Sequence, residues 1–515
     1  MHRPLLRHAA VALVLLAVAA TTATTLAAQQ FPTNATHGKR PTRLVIRNAT
    51  IIDGNGTPAR GPVDIVVEGN TITDIVALDP VATGRGQSRR PAGDVNIDAT
   101  GKYVLPGLIN AHAHLQSQRS GHSLDGYEYN LKLWLANGIT SVREVGSESD
   151  TGIVNIRERS AKGDIVAPRI FAYPMLMGGG ARIKTPADAR ARVQYLKKIG
   201  VDGIKITGIE RDLMAAMEDE AKKLGLPIAH HVGVEETNAW DDIEFGTRSI
   251  EHWYGIPDAA IPDLRQHFPS NYNYANETDR FRWAGRLWRE ADPKILDSVL
   301  TMMVKKNVAW VPTMDIYEAS RDLQRAQTQP WFSEYLHPSL AWYFKPDPAN
   351  HGSYFIGWSS TDEVYWKENY RLWMSALRDF ERKGGTIGCG DDAGFIYQLY
   401  GYGLIREMEL HAEAGFNPIK IIQHCTGNNA KILGHEDKLG RVRAGWLADL
   451  IVVDGNPLED LKVLYAGGTT GLKDGKEIRT HGSEWVIKDG IPYNGPQLLR
   501  EVKAIVDKAK ASGAK

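Results

Sequence analysis

Eight short apolar runs, each followed by a helical or looping stretch, limit this 515-residue chain to very few architectures. The runs are Leu108–His112, Thr140–Val145, Arg169–Tyr173, Gly203–Ile206, Pro227–His231, Ser249–His252, Val308–Pro312 and Thr386–Gly390. Runs of that length, bounded by turn residues and separated by helix-length segments, read as strands of a parallel sheet buried on both faces. The helices between them carry their own signals. Thr185 and Pro186 stand where an N-cap and a first-turn proline belong, opening a helix from Pro186 to Ile199. Arg211 to Leu224 and Thr361 to Arg382 repeat the helical pattern. Eight β–α alternations over roughly 300 residues predict an α/β chain with a (β/α)8 TIM barrel, here spanning residues 105–434.

The flanks read differently. Leu44-Val45-Ile46, Ile51-Ile52, Ile65-Val66-Val67 and Ile72 to Val76 are short strand-like runs, parted by turns at Gly54-Asn55-Gly56 and Glu68-Gly69-Asn70. The Arg- and Gly-rich stretch from Gly84 to Gly93 reads as a surface loop, and the strand pattern resumes at Val95 and at Tyr103. After the barrel, strand-like runs return at Ala448 to Asp454 and Val486 to Gly490. A small β-sandwich domain built from both chain ends (29–104 and 435–490) is therefore expected around an inserted barrel, with an amphipathic helix inside 491–515 packing on the surface. Two connections are long and rich in Trp and Tyr: Tyr254 to Asn307, and Asp315 to Gly385. They read equally as lids over a site or as extra helices on the barrel wall.

Lysine plus arginine equal aspartate plus glutamate at 61 each, so no basic excess points to nucleic acid and no acidic tail to disorder. Arg3, Arg7 and His8 precede an apolar run from Ala9 to Ala20, and Leu26-Ala27-Ala28 offers a cleavage site. Residues 1–28 thus read as a secretory signal peptide, too short in its apolar core to span a membrane, and the mature protein is expected to be exported, periplasmic or secreted, without a membrane partner. A retained N-terminal anchor is the alternative. The two cysteines, Cys389 and Cys425, are too few for a disulfide scaffold, and Cys389 in a buried strand is expected to be a packed thiol.

Chemistry gathers at the strand ends. In a barrel of this type the site lies at the C-terminal rim. The first strand ends in His112-Ala113-His114, and residues i and i+2 of a strand share a face, so both imidazoles can grip one metal ion. The fourth carries Lys205 between Ile204 and Ile206. The fifth ends in His230-His231, the sixth in Glu251-His252, and the eighth runs into Asp391-Asp392. Each alone is unremarkable as a surface or core residue. Their coincidence on one rim is not.

The chain resembles the amidohydrolase superfamily of metal-dependent hydrolases, in particular the branch of imidazolonepropionases and prolidase-like Xaa-Pro dipeptidases. The resemblance rests on Leu105 to His114, Ile204-Lys205-Ile206, Ser249 to His252, Gly390 to Gly394, Thr426 to Ala430 and Gly440 to Leu450. It implies two divalent metal ions, expected to be zinc, although manganese, cobalt or iron suit the same ligands. By the same resemblance His112, His114 and Asp392 hold the buried ion. His231 and His252 hold the exposed one, and Lys205, carboxylated by carbon dioxide, bridges the two. His231 is favoured over His230 by its spacing from Pro227 and His252, and Asp392 over Asp391 by the Gly-x-Asp-Ala-Gly match. Only one histidine of the pair can face the site.

The implied reaction is attack of a metal-bridging hydroxide on the carbonyl of a C–N (amide or peptide-like) bond in a small molecule, such as a dipeptide or N-acyl amino acid. Asp392 moves the proton and Tyr254 steadies an oxyanion or a substrate carboxylate. Tyr254 reads equally as a packed aromatic. Arg143 is a further pocket candidate or else a salt-bridge partner of Glu144 or a neighbouring loop. A lactonase or phosphotriesterase could use the same hydroxide. A mononuclear deaminase would need a glutamate three residues after the strand-five histidine, where Gly233 and Val234 stand, with Glu235 one place too far. A non-enzymatic barrel would leave ligand positions unfilled. A homo-oligomer is compatible with the sequence.

Overall fold

The structure, a computed structural model, describes residues 31–86, 90–115, 127–147, 149–175, 183–232, 237–264, 268–273, 276–347, 350 and 352–513. The expected signal peptide, Tyr274, and the Gly233, Val234 and Glu235 positions of the deaminase argument lie outside these residues.

The two ends of the chain share one sheet. Its N-terminal strands are β1 (Arg43–Ile51), β2 (Arg60–Glu68), β3 (Thr71–Ala77), β4 (Val95–Asp98) and β5 (Tyr103–Pro106). Seven parallel strands follow: β6 (Leu108–Ala113), β7 (Ile139–Glu144), β8 (Arg169–Ala172), β9 (Ile204–Thr207), β10 (Ile228–His231), β11 (Ser249–Glu251) and β12 (Ala309–Val311). Then come β13 (Leu450–Asp454), β14 (Thr469–Lys473), β15 (Lys476–Thr480), β16 (Gly482–Lys488) and β17 (Ile491–Asn494). The terminal sheet has the order β17-β16-β13-β5-β1-β2-β3, with β4 paired to β1. Leu44, Ile46, Ile65 and Val67 from one end bury against Val104, Leu450, Val452 and Ile487. The alternation of these strands puts that set on one face.

The central strands pair in parallel as β6-β7-β8 and β9-β10-β11-β12. Bridges between Met175 and Lys205 and between Trp310 and Ile387 carry the pairing onward. Ala111 N–H donates to Cys389 O at 2.8 Å and Asp392 N–H to His112 O at 2.9 Å, returning it to β6. The expected eighth strand, Thr386–Gly390, is not a regular strand but this single bridge and these bonds. Gly390 lies so close to β6 that a β-carbon there would stand 2.4 Å from His112 Cβ. The segment is shaped by close approach rather than by a ladder.

The helices follow their caps. Pro186–Ile199 opens with Thr185 accepting from Asp188 N–H in a full capping box, and Arg211–Leu224 ends at Gly225 in the left-handed conformation. Ser360–Arg382 is the long helix of the second connection, and Gly495–Ala511 buries Leu498, Leu499, Val502 and Val506 in the main core. Much of the aromatic content of the long connections is wall packing: Tyr354, Trp366, Tyr370 and Trp373 are fully buried, and Tyr317 stacks on Trp366 at 6.1 Å. Among the described residues no helix is long and apolar enough to cross a membrane.

Two expectations are corrected. Cys389 is no free thiol but is bonded to Cys425. The pairing, across 36 residues, is invisible in sequence because it forms only in the folded chain, beside Asn429, whose side-chain oxygen accepts from Cys389 N–H at 3.1 Å and whose amide donates to Cys389 O at 2.8 Å. The 84–93 stretch is not wholly surface. Arg90 turns inward to the buried Asp64, which also pairs with Arg47 at 3.0 Å.

Candidate metal centre

The strand ends converge on one polar cluster. His112 and His114 leave β6 on the same side, and His114 Nε2 lies 2.7 Å from Asp392 Oδ1, His112 Nε2 3.7 Å from the same oxygen. Lys205 Nζ, fully enclosed, lies 3.4 Å from His112 Nε2. Its neighbours Ile204 and Ile206 pack outward among Leu196, Met214 and Met217, so the lysine points inward. His252 lies tilted against His112 with ring centroids 4.7 Å apart, and His231 meets His252 edge to face at 4.3 Å. One ligand atom each from His112, His252 and Asp392 all lie within 4.8 Å of one another.

The ambiguous pairs separate. His230 faces away from this cluster and bonds Asp242 Oδ1 through Nδ1 at 2.8 Å, while His231 lies beside His252. Asp391 is a clasp: its Oδ1 accepts from Asn110 Nδ2 at 2.6 Å and from Ala393 N–H, while Asn110 Oδ1 takes His112 N–H at 3.1 Å. Burial pushes the Asp391 carboxyl up to about 7. Asp392 is the aspartate that reaches His114. Tyr254 is buried, stacked on His231 at 5.4 Å and packed against Tyr317.

Arg143 does not pair with Glu144. It donates to Ala111 O and Ser249 Oγ, and its Nη2 lies 2.6 Å from Glu251 Oε1, with every partner buried. Glu251 Oε2 in turn lies 2.7 Å from His112 Nδ1. Glu251, quoted at the end of the sixth strand without a role, is thus the link between Arg143 and His112, and Ser249 and Glu251, two apart on β11, share the inward face. Thr313 is a residue sequence reading passed over, its hydroxyl 2.6 Å from His252 Nδ1. No pattern in the sequence marks it.

Burial lowers the pKa of His112 and His252 well below the ordinary imidazole value, reinforced by Lys205 and the neighbouring histidines, so both rings are neutral donors. Burial likewise pulls Lys205 down to about 8. His114 Nδ1 is enclosed with no hydrogen-bond partner among the described residues. Imidazoles converging with one carboxylate, the His112 and His252 rings neutral, are the nitrogen and oxygen donors that a divalent cation takes. The backbone is bent to make this set: His252, Thr313 and Asp392 all hold positive φ, at 63°, 47° and 46°.

The amidohydrolase family model matches residues 103–263 and 376–478, a little over half the chain. The chain belongs to the amidohydrolase family. Every residue of the cluster falls within the matched segments, and residues 264–375 fall between them. A dihydroorotase of Thermoanaerobacter sp. (strain X514) is 39% identical over 74 residues, 14% of each chain. An allantoinase of Salmonella choleraesuis (strain SC-B67) is 27% identical over 162 residues, 32% of this chain and 31% of that one. The chain therefore spans less than a third of the curated relatives it matches. Among solved structures, a Xaa-Pro dipeptidase with bound methionine in its active site superposes with a TM-score of 0.60 at 23% identity, covering 88% of this chain and all of that one. A bottromycin amidohydrolase gives 0.66 at 18%, covering 92% of each. These likenesses show a shared fold.

Proposed function

We propose that this protein hydrolyses a carbon–nitrogen bond, amide or peptide-like, in a small molecule such as a dipeptide or N-acyl amino acid. The observation that carries the reading is the convergence of His112, His252 and Asp392 within 4.8 Å, with His114, His231 and Lys205 against them, in a chain of this family. We read the parallel strands as a closed (β/α)8 barrel and the terminal sheet as the small β-sandwich domain. His112, His114 and Asp392 would hold one divalent ion, His231 and His252 a second, with Lys205 as a carbamate between them. Zinc is the ion we expect, and export is the location.

Bound divalent ions supply Lewis acidity and a lowered pKa for water. The chain does the rest. Glu251 and Thr313 fix the ring orientation of His112 and His252 through their second nitrogens, as ligand imidazoles require. Asp392, half-way between ligand and general base, accepts the water's proton and returns it to the departing amine. Tyr254 and Tyr317 wall the site beside His252.

A screen of the protein loaded with zinc or manganese against N-acyl amino acids, Xaa-Pro dipeptides and lactones tests the proposal. Amide or dipeptide turnover that is lost in Asp392→Asn is expected. Lactone turnover with no amide cleavage would move the function to the lactonase reading.

A further inference from the structure

A second cleft, of about 990 Å³, lies apart from the metal centre, and none of the cluster residues lines it. One wall is the Asp322–Tyr335 stretch, the other the segment from Asp460 through the β14–β15 hairpin, and Tyr402 and Glu409 lie between. The first wall belongs to residues 264–375, outside the segments that match the family.

Its lining combines two features. Four rings pack together, with Tyr402 and Tyr465 buried beneath: Trp331 stacks on Tyr402 at 4.7 Å and 20°, Tyr335 on Tyr402 at 6.0 Å and 22°, Tyr402 on Tyr465 at 5.9 Å and 23°, and Trp331 is tilted over Tyr465 at 5.0 Å and 36°. Trp331 and Tyr335 remain partly exposed. Around this platform the exposed charges alternate in sign: Asp322, Glu334 and Asp460 against Arg325, Lys462 and Arg479. Such a rim gives no uniform field to attract an ion. It offers acceptors and donors side by side, as a hydroxyl needs because it both donates and accepts. The aromatic platform meets the C–H face of a ring by dispersion and weak C–H···π contact. The volume is in the range of small-molecule sites.

We propose that this cleft binds a neutral saccharide, stacked on the partly exposed Trp331 ring, which Tyr402 and Tyr465 back from below, and hydrogen-bonded by Glu334, Lys462 and Arg479. The proposal is independent of the metal-centre reading.

Isothermal titration of the full-length protein with cellobiose, maltose, lactose and N,N′-diacetylchitobiose tests it, with indole-3-acetate as the anionic aromatic control. At least one disaccharide is expected to bind, with affinity unchanged within twofold by 0.5 M NaCl, as a neutral ligand requires. Trp331→Ala and the exposed-rim double variant Glu334→Ala/Arg479→Ala should each weaken that binding at least tenfold. The rim variant keeps the test decisive if the tryptophan change disturbs folding, which circular dichroism reports. His112→Ala should bind the sugar as wild type does. Failure of all four disaccharides to bind overturns the proposal. So does binding unchanged in the rim variant, binding lost with His112→Ala, or salt-sensitive binding of indole-3-acetate alone.

Discussion

The residue whose removal separates scaffold from site most cleanly is Glu251. It is fully buried, with one carboxylate oxygen 2.6 Å from Arg143 Nη2 and the other 2.7 Å from His112 Nδ1. Glu251→Gln keeps the shape and one acceptor but removes the only carboxylate within 4.0 Å of Arg143 among the described residues. A buried guanidinium left without its counter-ion costs about 3–5 kcal/mol. Arg143 keeps its bonds to Ala111 O and Ser249 Oγ and its place over the Tyr173 ring, so the lower end, about 3 kcal/mol, is expected. His112 also loses its orienting carboxylate, and loss of such a partner weakens metal binding by about 10–100-fold.

Equilibrium urea denaturation measures the first effect and chelator competition the second. The double variant Arg143→Met/Glu251→Gln tells them apart: with the stranded charge gone, most of the stability returns, while metal affinity stays low. A Glu251→Gln protein within about 0.5 kcal/mol of wild type would refute the ion-pair argument. Unchanged metal affinity would refute the orienting role of Glu251.

Three further outcomes are expected. Lys205→Ala should be inactive and partly rescued by a short-chain carboxylic acid, a free carboxylate standing in for the carbamate. Lys205→Arg should not be rescued, because a guanidinium fills the bridge position, and wild-type turnover in Lys205→Ala with metal retained would remove the two-metal mechanism. Glu218 is buried and accepts from Thr247 Oγ1 at 2.7 Å, and burial holds its carboxyl up at about 7. The folded state therefore binds the extra proton, stability falls as pH rises from the ordinary carboxylate range through about 7, and Glu218→Gln should be relatively more stable at pH 8 than at pH 5, by at most roughly 3 kcal/mol. Identical urea midpoint differences at the two pH values would contradict this. Cys389→Ala/Cys425→Ala removes a cross-link spanning 36 residues, worth about 4 kcal/mol by loop-closure entropy, and urea denaturation of that variant without reductant should show the loss. Equal thiol titres in denatured protein before and after reduction would mean the bond is not formed.

What the sequence made legible follows from period and spacing. Parallel strands β6 to β12 lie within a residue or two of the runs read as strands, because apolar runs that end at turns leave little choice of register. The inward direction of Lys205 follows from Ile204 and Ile206, and that of His231 from the opposite placement of His230. What was not legible depends on partners far along the chain. Glu251 gains its meaning from Arg143 and His112, more than a hundred residues earlier, and Cys389 meets Cys425 beside Asn429, whose side chain holds the backbone of residue 389. In the aromatic connections the helical period of Thr361 to Arg382 was legible, but not whether that helix lies over the site as a lid or packs against the wall, and only packing reveals that Trp366 and Trp373 are core.

The strand rule that makes the scaffold legible is the rule the site breaks. On a regular strand successive side chains point to opposite faces, and His230 and His231 obey it. Glu251 and His252 do not: both point inward, one to His112 Nδ1 and the other against the His112 ring. The φ of 63° at His252 makes that possible, and Asp392, with φ of 46°, does the same after the buried Asp391. Each non-glycine residue held there costs on the order of 1–3 kcal/mol, so it persists only where its surroundings over-determine it. They do: His252 N–H donates to Val311 O at 2.8 Å, Asp392 N–H to His112 O at 2.9 Å, and Thr313, itself left-handed, holds the His252 ring. Left-handed backbone at non-glycine residues also occurs away from the cluster, as at Asn48, Asn307 and Asp474, but at His252 and Asp392 it is what turns two proposed ligands inward beside an inward neighbour.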